Sequence, residues 1–265
     1  MSQFIHRIPI HSRWKLAIKT LPFVAVIIVL KFIIHYLGYE FLTLNSLFTA
    51  IISANIFLIG FLISGVLADY KESEKLPGDL SASIETMADE ALIIYENKKS
   101  VEAKIFLQKL LEFNILVIDW FYKKERTEAI RLNLLSFNQD FLAFEHLTQA
   151  NFIVRLKQEQ NLIRKMLKRI RTIRETTFLG TGYAIVEIIT SILSFGLVFV
   201  KIEPFYEGTF FVVFISFILI YMIFFVKDLD NPFGYSIQDN MVEEISLKPI
   251  LDSKMRLEQY LKDLD

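Results

Sequence analysis

The chain contains no cysteine, so disulfides, thiolate catalysis and zinc–sulfur sites are excluded. Glycine (9) and proline (6) are scarce among 265 residues, which argues against a sandwich or barrel of many short strands joined by turns. Histidine is also sparse. His6, His11, His35 and His146 are scattered without metal-ligand spacing. No phosphate-binding glycine loop, GxSxG, HExxH or GxGxxG pattern occurs, so no enzyme is expected. The net charge is only −1, and no basic field marks the chain as a nucleic-acid binder. What the chain does have is phenylalanine (25 residues), a mean hydropathy of +0.41 and long uncharged runs.

Four apolar blocks are each long enough to approach the roughly 20 residues that carry a helix across ~30 Å of hydrocarbon. They run over about 16–37, 42–68, 178–200 and 209–226. The first is too long for a cleavable signal and lacks a small-residue cleavage site. The division expected is a cytoplasmic N-terminal segment (1–15), spans one and two (16–68), a cytoplasmic helical domain (69–175), spans three and four (176–226) and a cytoplasmic tail (227–265).

Lysine and arginine set the orientation. Arg7, Arg13, Lys15 and Lys19 precede span one, Lys71 and Lys75 come after span two, and Lys165, Lys168, Arg169, Arg171 and Arg174 precede span three. The opposite loops carry one lysine between them, Lys201. Both termini and the long middle segment are therefore expected in the cytoplasm, in an inner or plasma membrane, with Trp14 at the interface.

In the middle segment, Pro77-Gly78 predicts a break or kink, with Asp79 or Ser81 capping the next helix. Apolar spacing predicts helices over 81–97, 101–124, 127–147 and 151–174, the last running straight into span three. That last helix carries eight basic residues: Arg155, Lys157, Arg164, Lys165, Lys168, Arg169, Arg171 and Arg174. A solvated face, anionic headgroup contact and an electrostatic funnel for anions all fit them.

Within the spans, Lys31 and His35 share a helix face and are expected to snorkel to the interface. Glu187, about ten residues into span three, either lines a wet cavity or pairs with another group. Ser46, Thr49, Ser53, Gly60 and Ser64 recur on one face of span two. Close packing through small residues explains them, and so does a pore-lining face. The lining candidates are Ile52, Ser53, Ile56, Ile59, Ile63 and Ser64, with the isoleucines or Phe57 as constrictions and Asn45 and Asn55 as polar contacts. Isoleucine and serine cannot all share one face, so only part of this set can hold.

Two stretches carry a family resemblance. Ile59-Gly-Phe-Leu-Ile-Ser-Gly-Val-Leu-Ala-Asp-Tyr-Lys-Glu-Ser-Glu-Lys-Leu-Pro-Gly-Asp-Leu80 resembles the end of the second span in bestrophins and bestrophin-like proteins. Asp230-Asn-Pro-Phe-Gly-Tyr-Ser-Ile-Gln-Asp239 is similar to the Asn-Pro-Phe-Gly segment after their fourth span. The order of spans and helical block agrees across nearly the whole chain. Asp69-Tyr70-Lys71 and Pro77 depart from the family pattern, as in a divergent member.

The resemblance implies an all-α membrane protein with four transmembrane helices and a helical cytoplasmic domain. It further implies a homo-oligomeric, pentameric ion channel lined by span two, with lipids and permeant inorganic ions as its other partners. Charge selectivity stays open, because the family is associated with both anion and cation conduction; anion conduction, as in a chloride channel, is slightly favoured. In calcium-gated bestrophins a run of acids comes after Asn-Pro-Phe-Gly. Asn231 and Asp239 match candidate calcium positions, and Ser236 stands where an acid is expected. No other metal or cofactor is expected. The competing readings are a non-conducting scaffold or sensor whose cytoplasmic helices bind a partner, and a carrier using Glu187 as a proton site.

Overall fold

A computed structural model describes residues 14–234 and 245–264. Eight helices occur among them: α1 (Lys15–Tyr36), α2 (Ser46–Lys98), α3 (Val101–Phe121), α4 (Thr127–Phe144), α5 (Ala150–Glu175), α6 (Gly180–Val198), α7 (Phe205–Leu229) and α8 (Lys248–Asp263). No strand is present among the described residues; one isolated parallel bridge joins Leu42 to Val200. Leu42 therefore belongs to a loop, and the helix of span two starts at Ser46 rather than Leu42. Four stretches are long and apolar enough to cross a membrane: α1, α2, Ala150–Val198 and α7.

The chain divides into two compact units. The first comprises Met1–Tyr70 and Thr177–Asn231. Here α1 packs along α7, and α6 packs on both. Ile59, Leu62 and Val66 of α2 form one buried cluster with Val186 and Leu193 of α6 and Leu219 and Val226 of α7. Ile27 of α1 joins Leu197, Val198, Val200 and Val212 in a second. Large apolar side chains such as Phe23, Val26, Val29, Phe210 and Phe214 stay uncovered. An apolar surface of that extent suits a helix bundle whose solvent is hydrocarbon.

The second unit comprises Lys71–Thr176 and Pro232–Asp265. Its helices show the water-facing pattern, one buried stripe each. Leu80, Ile84, Met87, Ala88 and Ala91 of α2 are fully buried. In α3 and α4 the abundant phenylalanine is used as core: Phe106 meets Phe137, Phe141 and Phe144 edge-on at centroid distances of 5.3, 5.7 and 5.4 Å. Such pairs add to the stabilisation from area burial. Ser100 caps α3, its hydroxyl accepting the Ala103 amide at 3.1 Å.

Two expectations fail. Pro77-Gly78 does not break the chain, because α2 is one helix of 53 residues with Pro77 inside it. A proline in a helix interior costs about 3 kcal/mol. Leu76, Leu80 and Ile84, buried immediately around it, each contribute roughly 1.5–3 kcal/mol, enough to carry the helix through. Asp79 and Ser81 consequently cap nothing; Ser81 instead donates to the Pro249 carbonyl at 2.9 Å. Nor does α5 run straight into span three. Thr176 is extended (φ −118°, ψ 136°), and its amide and hydroxyl both return to the Thr172 carbonyl.

Phe178 then begins the membrane unit with its amide donating to Asp230 Oδ1 at 3.2 Å. Its ring occupies the space that a Cβ on residue 65 would need. Only glycine at 65 permits this approach.

Candidate functional site

The first half of α2 has two unlike faces. Its amino end is capped by Asn45, whose Oδ1 accepts the Phe48 amide at 2.8 Å. One face carries Asn55, Ile59, Leu62 and Val66, all buried within the chain. Asn55 Nδ2 donates to Thr190 Oγ1 of α6 at 2.8 Å, which fixes the rotation of α2 about its own axis. The other face carries Ser46, Thr49, Ser53, Ile56, Phe57, Gly60, Ser64 and Leu67, and stays exposed among the described residues. At about 100° per residue, Asn55 and Leu62 lie roughly 180° around the helix from Ser53, Gly60 and Ser64.

This geometry sorts the candidates. Ser53, Ile56 and Ser64 lie on the uncovered stripe. Ile52 and Ile63 are half-buried at its border against the α2–α6–α7 cluster. Ile59 is a correction. It is only 3% exposed and points into that cluster, because it is four residues from Asn55 and three from Leu62. Ile56 (52% exposed) and Phe57 (74%) are the large apolar groups on the open side. Gly60 has open space where a Cβ would stand. The Thr49 and Ser53 hydroxyls donate to carbonyls one turn back, Asn45 at 3.2 Å and Thr49 at 3.0 Å, so the stripe presents satisfied hydroxyl oxygens rather than orphan donors. Among the described residues, none between Ser46 and Ala68 is charged.

Lys31 does not snorkel. It is 1% exposed, and its ammonium donates to Glu40 at 2.5 Å and to the carbonyls of Val200 at 2.6 Å and Val198 at 3.3 Å. The carboxyl end of α6 presents the Val198 carbonyl with its negative dipole, Val200 follows just beyond it, and Glu40 completes the neutralisation. His35 stacks on Phe205 at 3.7 Å and contacts Glu40 at 3.0 Å. Burial pushes the Glu40 carboxyl up, but the hydrogen bonds from Lys31 and His35 outweigh it and hold Glu40 below its ordinary range. Sequence reasoning missed Glu40. The available signal was an acid in a short loop nine residues after an intramembrane lysine.

Glu187 faces a groove of about 420 Å³ between α1, α6 and α7, and pairs with Lys227 at 2.6 Å. Thr190 and Ser194 share the groove with apolar side chains. At the end of α7, Asp230 accepts the Phe178 amide; burial raises its carboxyl above the ordinary range despite that bond. Asn231 adjoins it, while Asp239 and Ser236 lie outside the described residues. Among the described residues, no group of three or more His, Asp or Glu side chains is placed to hold a metal ion.

No family model and no curated relative matches the sequence. Solved structures do. A crystal structure of a bacterial bestrophin homologue from Klebsiella pneumoniae carrying one mutation superposes with a TM-score of 0.75 at 16% identity, over 93% of this chain and 98% of that one. The chain has the bestrophin fold. A second Klebsiella pneumoniae bestrophin homologue structure, solved by zinc phasing, matches with a TM-score of 0.73 at 16% identity over 91% and 96% of the two chains. A further crystal structure, described as a membrane protein, gives 0.73 at 16% over 92% and 97%. The bestrophin fold thus extends over the helices of both units, in an all-α integral membrane protein resembling a divergent member of that family.

Proposed function

We propose that the protein is a homo-oligomeric ion channel, a pentamer, in which α2 copies surround a central pore. The observation that carries this reading is the uncovered stripe from Ser46 to Ser64, set opposite a face held by Asn55, Ile59 and Leu62. A helix in a membrane bundle gains nothing from leaving serines and threonine toward lipid, whereas copies arranged around an axis turn them toward water. Ile56 and Phe57 supply the apolar constriction, and apolar rings gate by dewetting. The stripe carries no charge of either sign, so its lining alone does not choose the permeant ion, and anion conduction is the slightly favoured reading; Ser53 and Ser64 add polar contact beside the constriction. The termini and the second unit lie in the cytoplasm, in keeping with the Lys/Arg distribution.

The test is single-channel recording of the purified, oligomeric protein in planar bilayers under asymmetric KCl. Discrete steps with a reversal potential toward the chloride equilibrium value support the reading. Ile56→Ala or Phe57→Ala should raise the conductance or the open probability. Silence from protein shown to be folded and oligomeric would favour a non-conducting scaffold.

A further inference from the structure

The eight basic residues of α5 divide by partner. Arg155 pairs with Glu90, Lys157 with Asn138, Arg169 with Glu72 and Arg171 with Glu175. Arg174 donates to the Trp120 carbonyl at 3.3 Å. The side chains of Arg164, Lys165 and Lys168 have no hydrogen-bond or ion-pair partner among the described residues. Two of these three, Arg164 and Lys168, lie at one groove between α4 and α5.

That groove measures about 350 Å³, within the size range of small-molecule sites. Its wall is Ile130, Leu134, Leu167 and Trp120. The indole is held in place: Nε1 donates to Thr127 Oγ1 at 3.0 Å, and the Arg174 guanidinium lies 4.9 Å from its ring centroid. Arg131 and Arg171 complete the cationic lining. Glu128 pairs with Arg131 and Glu175 with Arg171, so the charge left over is that of Arg164 and Lys168. A solvated basic face needs no apolar pocket, and an apolar pocket needs no pair of unmatched cations.

We propose that this groove binds a soluble organic phosphate: a dianionic head between Arg164 and Lys168, and an apolar or aromatic body against Trp120, Leu134 and Leu167. Arginine and lysine make charge-assisted bonds to phosphate oxygens, and a phosphate monoester carries close to two charges at neutral pH. The two unmatched cations balance such a head. The inference concerns the second unit alone and does not depend on conduction.

Phenyl phosphate is the probe, added to the full chain in detergent at about pH 8, where the ester is dianionic. The chain has two tryptophans, so Trp14→Phe leaves Trp120 as the only reporter. A saturable fluorescence change is expected, with inorganic phosphate and benzyl alcohol each binding at least tenfold more weakly. Arg164→Ala with Lys168→Ala should raise the dissociation constant at least tenfold. Lys165→Ala, one position away and outside the groove, should change it less than twofold; Arg164→Lys with Lys168→Arg should keep most of the affinity. No saturable change up to ~10 mM overturns the proposal. So does equal binding of inorganic phosphate, which would indicate an anion site without a body pocket. Equal losses in the double alanine variant and Lys165→Ala would reduce the groove to general surface charge.

Discussion

The two halves of α2 read oppositely. From Lys71 to Lys98 the helix is rich in charge, yet a stripe of its apolar residues vanishes into the core: Leu80, Ile84, Met87, Ala88 and Ala91 have no exposed surface. From Ser46 to Ala68 the helix is almost wholly apolar, yet Ile51, Ile56, Phe57 and Phe61 stay uncovered. In water, an apolar side chain is a burial signal. In hydrocarbon the gain from burying it against protein disappears, and position is set by close packing and by polar contacts. Asn55 on Thr190 and Gly65 under Phe178 do in the apolar half what the buried apolar stripe does in the polar half.

The comparison is broken most severely in the polar half. Phe106→Ala removes a ring that three others abut and should destabilise the second unit by about 3–5 kcal/mol. Phe57→Ala, an equally large truncation on the uncovered face, should leave the unfolding midpoint of the purified protein nearly unchanged. Chemical denaturation of both variants, monitored by circular dichroism, checks the pair. Similar losses would mean that hydrophobicity, not solvent, decides both halves.

Lys31 offers the next test, because it is a charge where apolar packing would be expected. Glu40→Gln leaves the buried ammonium with carbonyls alone and should cost about 3–5 kcal/mol, as for a broken buried ion pair. Lys31→Met with Glu40→Gln should recover much of that loss, since removing both charges also removes their desolvation. A double variant no better than the single one would place the stability in the Lys31 bonds to Val198 and Val200 instead.

Ile59→Ala against Ile56→Ala sharpens the comparison inside the apolar half. The first opens a cavity among Leu62, Leu193 and Leu219 and should cost about 2–5 kcal/mol. The second should leave stability almost unaltered and, on the channel reading proposed above, change conductance. Both residues are isoleucines in an uncharged run, and hydropathy does not separate them. Four spans and the helices of the polar half were legible, because span length and the 3.6-residue stripe are direct consequences of solvent. The rotation of α2 was only half legible. Ser53, Gly60 and Ser64 marked one face, but its opposite depended on Asn55 finding Thr190, 135 residues away. Pro77 misled for a related reason: a local propensity was overridden by burial of Leu76, Leu80 and Ile84 around it. The Lys31–Glu40 contact escaped because it requires the carboxyl end of α6 to arrive beside α1.

The smallest effect concerns the water-facing half alone. Asp89 lies on the polar part of α2, where burial and the neighbouring Glu85 raise its carboxyl above the ordinary aspartate range, against the pull of Arg155. A raised carboxyl binds its proton more tightly in the folded state than in the unfolded one. The ionised form therefore lowers stability near neutrality, and that penalty is relieved as pH falls through the folded value. Asp89→Asn should raise the unfolding midpoint slightly at pH 7, with the gain shrinking toward acid as the native carboxyl protonates. Thermal unfolding across that range, native against variant, measures the difference. A gain that persisted unchanged in acid would come from packing of the amide rather than from loss of the charge.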